Sequence, residues 1–154
     1  MKSKRWNKSL PPPFGVPLLN FCFLVNAMPL DAIGIVSADL PRAARFYALL
    51  GIHFEEAGGP SHMEATLPSG VRLMLDSVEL IQSINPAWQA PKGSSAVSLC
   101  VSLENADEVN ALHQTILNAG YASVKAPWDA FWGQRYALVE DPDGNEVALY
   151  APLG

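Results

Sequence analysis

The same order of predicted elements occurs twice along the chain, and this repetition constrains the fold more than any other feature. A predicted strand over 31–36 precedes a helix that begins near Pro41 and ends at Gly51, and a strand over 98–103 precedes a helix that begins near Ala106 and ends at a second glycine. Proline is common in the first turn of a helix, and glycine is common just after the last turn. The repeat predicts two equivalent halves.

Three short strands follow each predicted helix, so each half has the order βαβββ. The predicted strands are 53–56, 63–67 and 71–75 in the first half and 122–125, 134–139 and 146–150 in the second. A polar linker over 91–95 separates the halves. We expect one α+β domain over 28–154, with module one over 28–90 and module two over 95–153.

A tight turn, Asp141-Pro142-Asp143-Gly144-Asn145, joins the last two predicted strands. Pro142 presets its own φ angle, Asp141 can accept a hydrogen bond from the backbone two residues on, and Gly144 can adopt a left-handed conformation. An acidic loop could also indicate a calcium site. An EF-hand requires glutamate at the twelfth loop position, which is Pro152 here, so the pattern favours a plain hairpin turn.

Composition excludes several classes of function. The net charge of −5 leaves no basic face for a phosphate backbone, which disfavours nucleic-acid binding. Cys22 and Cys100 are too few for a disulfide framework or a cysteine-based zinc site, so a reducing, cytoplasmic compartment fits best. Cys100 lies in the middle of a predicted strand, where we expect a buried thiol that serves as inert packing.

Residues 1–27 form a leader with a basic start, three consecutive prolines and an apolar stretch over 14–25. Pro17 and Asn20 interrupt the apolar stretch, which is also too short to span a bilayer. The favoured interpretation is an extension outside the core, and we expect no membrane partner. The alternative is a signal peptide, in which case the protein would be exported.

The motifs together resemble the vicinal oxygen chelate superfamily, which includes glyoxalase I, extradiol dioxygenases and bleomycin-resistance proteins. The segments that carry the resemblance are Leu30-Asp31-Ala32-Ile33-Gly34-Ile35, Asp39-Leu40, Phe46-Tyr47, Leu50-Gly51, Trp132-Gly133-Gln134-Arg135 and Asp141-Pro142-Asp143-Gly144-Asn145. The resemblance covers residues 28–153. It implies paired βαβββ modules whose sheets curl around a concave cavity, with the helices on the convex side.

The resemblance also implies where a metal ion would bind. In metal-dependent members, ligands would fall at Ala32, Ser98 and Ala148, with a fourth near Arg72 or Met74. Alanine has no donor atom, and a neutral serine hydroxyl is a poor ligand beside imidazole or carboxylate. We therefore expect a protein without a metal ion or other cofactor, and its status as an enzyme is left open with a preference for no catalysis.

A displaced metal site is the alternative that the histidines leave open. His62 and Glu64 are two residues apart on one predicted strand, so they face the same way and could begin a facial triad. No third ligand is evident from the sequence, and a solvated strand face is the favoured interpretation. We expect His53 in a turn or at a helix end, and His113 on the exposed surface of a helix.

The candidate ligand-binding residues combine large flat side chains with small and adaptable ones. They are Met74, Trp88, Ser98, Trp128, Phe131, Trp132, Tyr136 and Tyr150. Arg72 and Arg135 could pair with an anionic group on the ligand.

These observations lead to one leading hypothesis and two alternatives. The leading hypothesis is a metal-free protein that binds a small aromatic or planar organic molecule in a cavity shared by the two chains of a homodimer. The first alternative is a metal-dependent lyase, isomerase or dioxygenase of the same superfamily. The second is a non-catalytic interaction module.

Overall fold

The computed structural model describes residues 29–154, so the predicted leader lies outside the described residues. Module one contains β1 (Ala32–Ser37), α1 (Leu40–Leu49), β2 (Glu55–Glu56), β3 (His62–Thr66), β4 (Arg72–Ser77) and α2 (Val78–Ile84). Module two contains β5 (Leu99–Ser102), α3 (Ala106–Asn118), β6 (Ser123–Ala130), β7 (Gln134–Glu140) and β8 (Glu146–Pro152).

The two modules have the same sheet topology. Sheet one has the strand order β1-β4-β3-β2, and sheet two has the order β5-β8-β7-β6. In each sheet the first strand pairs in parallel with the last, and the remaining pairs are antiparallel. The predicted α+β fold with two βαβββ modules is confirmed.

Local capping explains where the two long helices begin. The carboxylate of Asp39 accepts a hydrogen bond from the N–H of Arg42 at 2.9 Å, and the side chain of Asn105 accepts one from the N–H of Glu108 at 3.0 Å. Each contact satisfies one N–H that has no partner within its helix. Gly51 follows α1 with a φ of 77°, a left-handed conformation that favours glycine.

One helix was not predicted. The seven-residue α2 follows β4 directly, and the hydroxyl of Ser77 caps it by accepting from the N–H of Leu80 at 3.2 Å. None of its residues is fully buried. A helix without a buried apolar stripe gives no strong periodic signal in the sequence.

The two modules share one hydrophobic core. Alternate strand residues face the helices and form a single cluster with them: Ile35, Leu40, Ala43, Phe46, Tyr47, Leu75, Val109, Ile116, Ala137, Val139, Val147, Leu149 and Ala151. The ring of Phe46 on α1 also lies 5.0 Å from that of Tyr121, which follows α3. Within residues 29–154, the two modules therefore contribute to the same core.

The predicted hairpin turn between β7 and β8 is confirmed, and it also joins the modules. Asp141 is buried, and its carboxylate accepts hydrogen bonds from the N–H of Asp143 at 2.9 Å, the N–H and side-chain amide of Asn145 at 2.8 and 2.9 Å, and the hydroxyl of Tyr47 at 2.8 Å. Tyr47 belongs to α1 of module one. Burial, followed by the neighbouring Asp141 carboxylate, raises the pKa of Tyr47.

His113 corrects an expectation from the sequence. It was expected on the surface, but it is buried on α3, and its Nε2 lies 2.8 Å from the hydroxyl of Ser123 on β6. It shares the core-facing side of α3 with Val109 and Ile116, at helical spacing. Burial lowers its pKa. His53 is exposed in the loop after α1, as expected.

Candidate functional site

Each sheet covers the shared core with one face and leaves its other face open. On the open face of sheet one lie Ala32, Gly34 and Val36 of β1, Arg72, Met74 and Asp76 of β4, and His62, Glu64 and Thr66 of β3. On the open face of sheet two lie Cys100 and Ser102 of β5, Glu146, Ala148 and Tyr150 of β8, Gln134, Tyr136 and Leu138 of β7, and Trp128 of β6.

A chain of charged groups crosses the open face of sheet one. His62 Nδ1 lies 2.6 Å from Asp76 Oδ1, and His62 Nε2 lies 2.9 Å from Glu64 Oε1. Arg72 Nη1 donates to both oxygens of Glu64 at 2.9 and 2.8 Å, and its Nη2 donates to Asp31 Oδ2 at 2.6 Å. Asp76 was not recognised as a partner of His62, because its strand register was not fixed by the sequence.

The two carboxylates around His62 define its protonation. A neutral imidazole has one N–H, so one ring nitrogen would face a carboxylate without a proton between them. The hydrogen bond to Glu64, followed by that to Asp76, raises the pKa of His62. In this arrangement each ring nitrogen of His62 contacts a carboxylate oxygen, and neither faces an open coordination position.

The residues at the superfamily's metal positions do not fit a divalent cation. Ala32 pairs with Arg72 across β1 and β4, and a guanidinium would repel a cation there. Ala148 pairs with Cys100, and Ser98 donates its hydroxyl to the carboxylate of Glu146. Within residues 29–154, no group of three or more His, Cys, Asp or Glu side chains is arranged to hold a metal ion.

The open face of sheet two carries five of the candidate residues in one aromatic cluster: Trp128, Phe131, Trp132, Tyr136 and Tyr150. Trp128, Tyr136 and Tyr150 lie side by side on three neighbouring strands. The ring centroid of Tyr136 lies 5.3 Å from that of Trp128, 5.5 Å from that of Trp132 and 6.0 Å from that of Tyr150. Phe131 extends the cluster, with its ring 4.9 Å from Trp132.

The cluster is accessible at its outer end. Phe131 is 97% exposed and Trp132 is 50% exposed, at the tip of the β6–β7 hairpin. The indole N–H of Trp132 donates to Gln134 Oε1 at 2.8 Å, which fixes the ring. Lys125 places its ammonium 3.6 Å from the ring centroid of Trp128, so one face of that ring is already in use. Trp132 is the ring best placed to stack on a ligand.

Small residues lie beside the aromatic cluster. Ala148 is fully buried, and Cys100 on the neighbouring strand is exposed. The expectation that Cys100 packs in the core was wrong, because Leu99 and Val101 face the core and Cys100 faces the open side. Burial, followed by the proximity of Cys100, raises the pKa of Tyr136.

Arg135 lies away from both open faces. Its Nε donates to Asn110 Oδ1 on α3 at 3.0 Å, and its Nη1 donates to Asp129 Oδ1 at 3.0 Å. The contact with α3 shows that Arg135 faces the helices. The structure therefore does not support the expected role of Arg135 as a counter-charge beside Trp132, because successive residues of a strand point to opposite faces.

Trp88 is also separate from the aromatic cluster. It lines a cavity of about 330 Å³ between β1, the linker and the start of β5, which we call the junction cavity. Other residues on its wall include Gly34, Val36, Val78, Pro91 and Leu99. Arg72 and Met74 lie on sheet one and Arg135 faces the helices, so the structure does not bring the predicted site residues together in one place.

The fold and the site together define a class of two-module βαβββ proteins with open sheet faces. A sequence profile of the Glyoxalase/Bleomycin resistance protein/Dioxygenase superfamily matches residues 30–149, and the chain belongs to this superfamily. It is 29% identical over 134 residues to an uncharacterised protein of Mycobacterium bovis, a match that covers 84% of this chain and 87% of that protein.

Solved structures agree in fold. A glyoxalase-related enzyme from Fulvimarina pelagi superposes with a TM-score of 0.70 at 22% identity, covering 80% of this chain and 87% of that one. A glyoxalase/bleomycin resistance protein/dioxygenase from Nocardioides gives 0.69 at 24% identity, covering 85% and 87%. Such identities establish the fold and leave the chemistry to the site. Within residues 29–154, no helix is both long and apolar enough to cross a bilayer.

Proposed function

We propose that the protein is a metal-free member of the superfamily that binds a small aromatic or planar molecule on the open face of sheet two. The observation that carries this proposal is the aromatic cluster, in which a half-exposed Trp132 is held in place by Gln134 and the small residues Ala148 and Cys100 lie at the far end, next to Tyr150 along the neighbouring strands. Flat rings offer stacking surface at little conformational cost. The chain has none of the strong ligands that the metal chemistry of the superfamily would need at Ala32, Ser98 and Ala148.

Neither arginine considered from the sequence as a counter-charge is free to pair with an anionic ligand at this cluster, which leaves Lys125 beside Trp128 as the cation nearest to it among residues 29–154. Arg135 faces the helices, and Arg72 already pairs with the carboxylates of Glu64 and Asp31. A guanidinium between two carboxylates has little net charge to offer an anion.

We further propose that a second copy of the chain, in a homodimer, covers the open face of sheet two and completes a cavity around the aromatic cluster. The aromatic cluster ends in the almost fully exposed Phe131, and large exposed apolar groups are typical of surfaces that meet a partner. We expect sedimentation to give a dimer at micromolar concentrations. A monomer throughout that range would contradict the shared cavity, but it would leave binding to a single chain possible.

The presence of only two cysteines fits the proposed cytoplasmic location.

The test is a screen of aromatic metabolites and antibiotics by tryptophan fluorescence quenching, followed by calorimetric titration of each hit. Removal of a stack worth about 0.5 to 1.5 kcal/mol should make Trp132→Ala bind about 2- to 13-fold more weakly. Arg135→Ala is the matched control, because Arg135 lies in the same β6–β7 hairpin, three residues after Trp132, but its side chain faces the helices on the opposite side of sheet two. We expect its affinity to equal that of the wild type.

Three outcomes distinguish the proposal from its alternatives. Equal weakening in Trp132→Ala and Arg135→Ala would indicate general damage to the β6–β7 hairpin and not a stacking role. Stoichiometric metal in the purified protein would favour the metal-dependent enzyme. The absence of any hit, together with capture of a specific protein partner, would favour the interaction module.

A further inference from the structure

The junction cavity is a partly open concave space within a single chain, separate from the aromatic cluster. Its volume of about 330 Å³ lies at the lower end of the range for small-molecule sites, roughly 300 to 1,000 Å³. The aromatic cluster contributes no residue to its wall. A ligand in this cavity would therefore be independent of the binding face proposed above.

The free edge of β1 forms one wall of the cavity. The carbonyl of Asp31 accepts a hydrogen bond from the N–H of Arg72 at 2.9 Å. This contact shows which residues of β1 direct their backbone groups toward β4 in the parallel pair. In a parallel ladder, alternate residues of a strand direct both backbone groups to the same neighbour. The groups of Ile33 and Ile35 therefore point at β4, and those of Gly34 and Val36 point away from it. Within the described chain, no strand pairs with this edge.

Gly34 lies in the middle of this edge, and the chain's own packing does not require a glycine there. A side-chain carbon built at Gly34 would meet its nearest neighbours, Asp76 Oδ2 and Met74 Cε, at 3.8 Å, which is ordinary contact. Glycine within a strand often marks a place where a ligand or another backbone approaches closely. The N–H and C=O of Gly34 are a donor and an acceptor side by side.

The other walls of the cavity are apolar, or polar with partners already in place. Trp88, Val78, Pro91 and Leu99 supply flat and aliphatic surface. Asp143 accepts from the N–H of Ala38 at 2.9 Å. Asn145 donates its side-chain amide to Asp141 at 2.9 Å. The unpaired backbone groups of β1 are thus the main polar feature that a neutral ligand could recognise.

We propose that the junction cavity binds a small planar lactam or similar cis-amide, which pairs its N–H and C=O with those of Gly34 and lies against Trp88. A lactam carries a donor and an acceptor on adjacent atoms, which matches the two groups that one strand residue presents at a sheet edge. The apolar walls cover the remainder of the ring. No charged group of the ligand is required.

The experiment uses 2-quinolone as the probe and N-methyl-2-quinolone as its matched partner without the N–H. Titration of the full-length protein is followed by the backbone amide signals in nuclear magnetic resonance. A neutral molecule of this size should bind with a dissociation constant of about 1 mM or tighter. We expect the amides of Gly34 and Val36 to shift, and the N-methyl compound to bind about 5- to 10-fold more weakly because one hydrogen bond is lost and a carbonyl is left unpaired.

Three variants locate the probe. Ala90→Trp, which adds a large ring to the cavity wall, and Trp88→Ala should each weaken binding, whereas Trp132→Ala on the other face should not. Either of the first two suffices if the other fails to fold.

Equal affinity for the two quinolones, or no shift at Gly34 and Val36, would overturn the proposal. Loss of binding in Trp132→Ala alone would assign the probe to the aromatic cluster instead. Slow hydrogen exchange at Gly34 without the probe would show that a strand of a second copy already occupies the edge, which would also overturn it.

Discussion

The contact between Tyr47 and Asp141 gives the sharpest prediction about stability, because it joins α1 of module one to the last hairpin of module two. The tyrosine is fully buried, and its hydroxyl donates to Asp141 Oδ2 at 2.8 Å. In Tyr47→Phe the aspartate keeps its three hydrogen bonds from Asp143 and Asn145, so one hydrogen bond to a charged group is lost. The free energy of unfolding should fall by about 1.5 to 3 kcal/mol.

Asp141→Ala should cost more, about 3 kcal/mol or above, because it removes the acceptor of four hydrogen bonds and leaves the Tyr47 hydroxyl buried without a partner. Urea denaturation of the two single variants and the double variant completes a double-mutant cycle. The coupling energy should be about 1.5 to 3 kcal/mol, since the residues are in direct contact.

Tyr121→Phe serves as the control for this cycle. Its hydroxyl donates to the carbonyl of Arg42 over 3.4 Å at an exposed position, so its removal should cost less than about 0.5 kcal/mol. If Tyr47→Phe is equally mild, or if the coupling energy is close to zero, the contact does not hold the modules together. Separate unfolding transitions in the wild-type protein would refute the single shared core.

Three further predictions concern the leader, pH and metal content. Deletion of residues 1–27 should leave the melting temperature unchanged, because their sequence lacks helical or strand periodicity and the first predicted strand starts after them; a loss of more than a few degrees would make the leader part of the fold. Because the folded pKa of His62 is raised above its unfolded value of about 6.5, the stability it contributes is complete below that pH and is lost as pH rises through the folded pKa. The stability difference between wild type and His62→Gln should therefore shrink on the alkaline side, and a difference that grows there would contradict the assigned charge. Elemental analysis should find no stoichiometric metal, and one equivalent that disappears in Glu64→Ala would reveal a displaced site.

The element order was predictable because its signals are local. Pro41 and Gly51 bracket the first helix, and the turn at Asp141 requires residues that lie within five positions of each other. Such features depend on backbone sterics and short-range hydrogen bonds, which a sequence displays directly. The short α2 lacked a buried stripe and gave no such signal.

The site was less predictable because it depends on which groups meet across the fold. The partnership of His62 with Asp76 requires the exact pairing of β3 with β4, and the contact of Arg135 with Asn110 requires the position of α3 over sheet two. Cys100 looked like a core residue among apolar neighbours, yet alternation along β5 turns it to the uncovered face. The alternation of side chains along a strand was readable from the sequence, but the exposure of each residue on the open face was not.

The two ends of each sheet differ in how they resist aggregation. The outer strands are poor templates for another chain: β2 has only two residues, both glutamates, and β6 carries Lys125, Pro127 and two register shifts. The first strands, β1 and β5, are uncharged and lie at the opposite edge of their sheets. The charged residues of β2 and the irregular pairing of β6 thus disfavour the addition of a strand from another chain at these two edges. Colloidal stability then depends on the segment that flanks the other edge, and variants that shorten the loop around Trp88 and Pro91 beside β1 should precipitate before they lose their secondary structure.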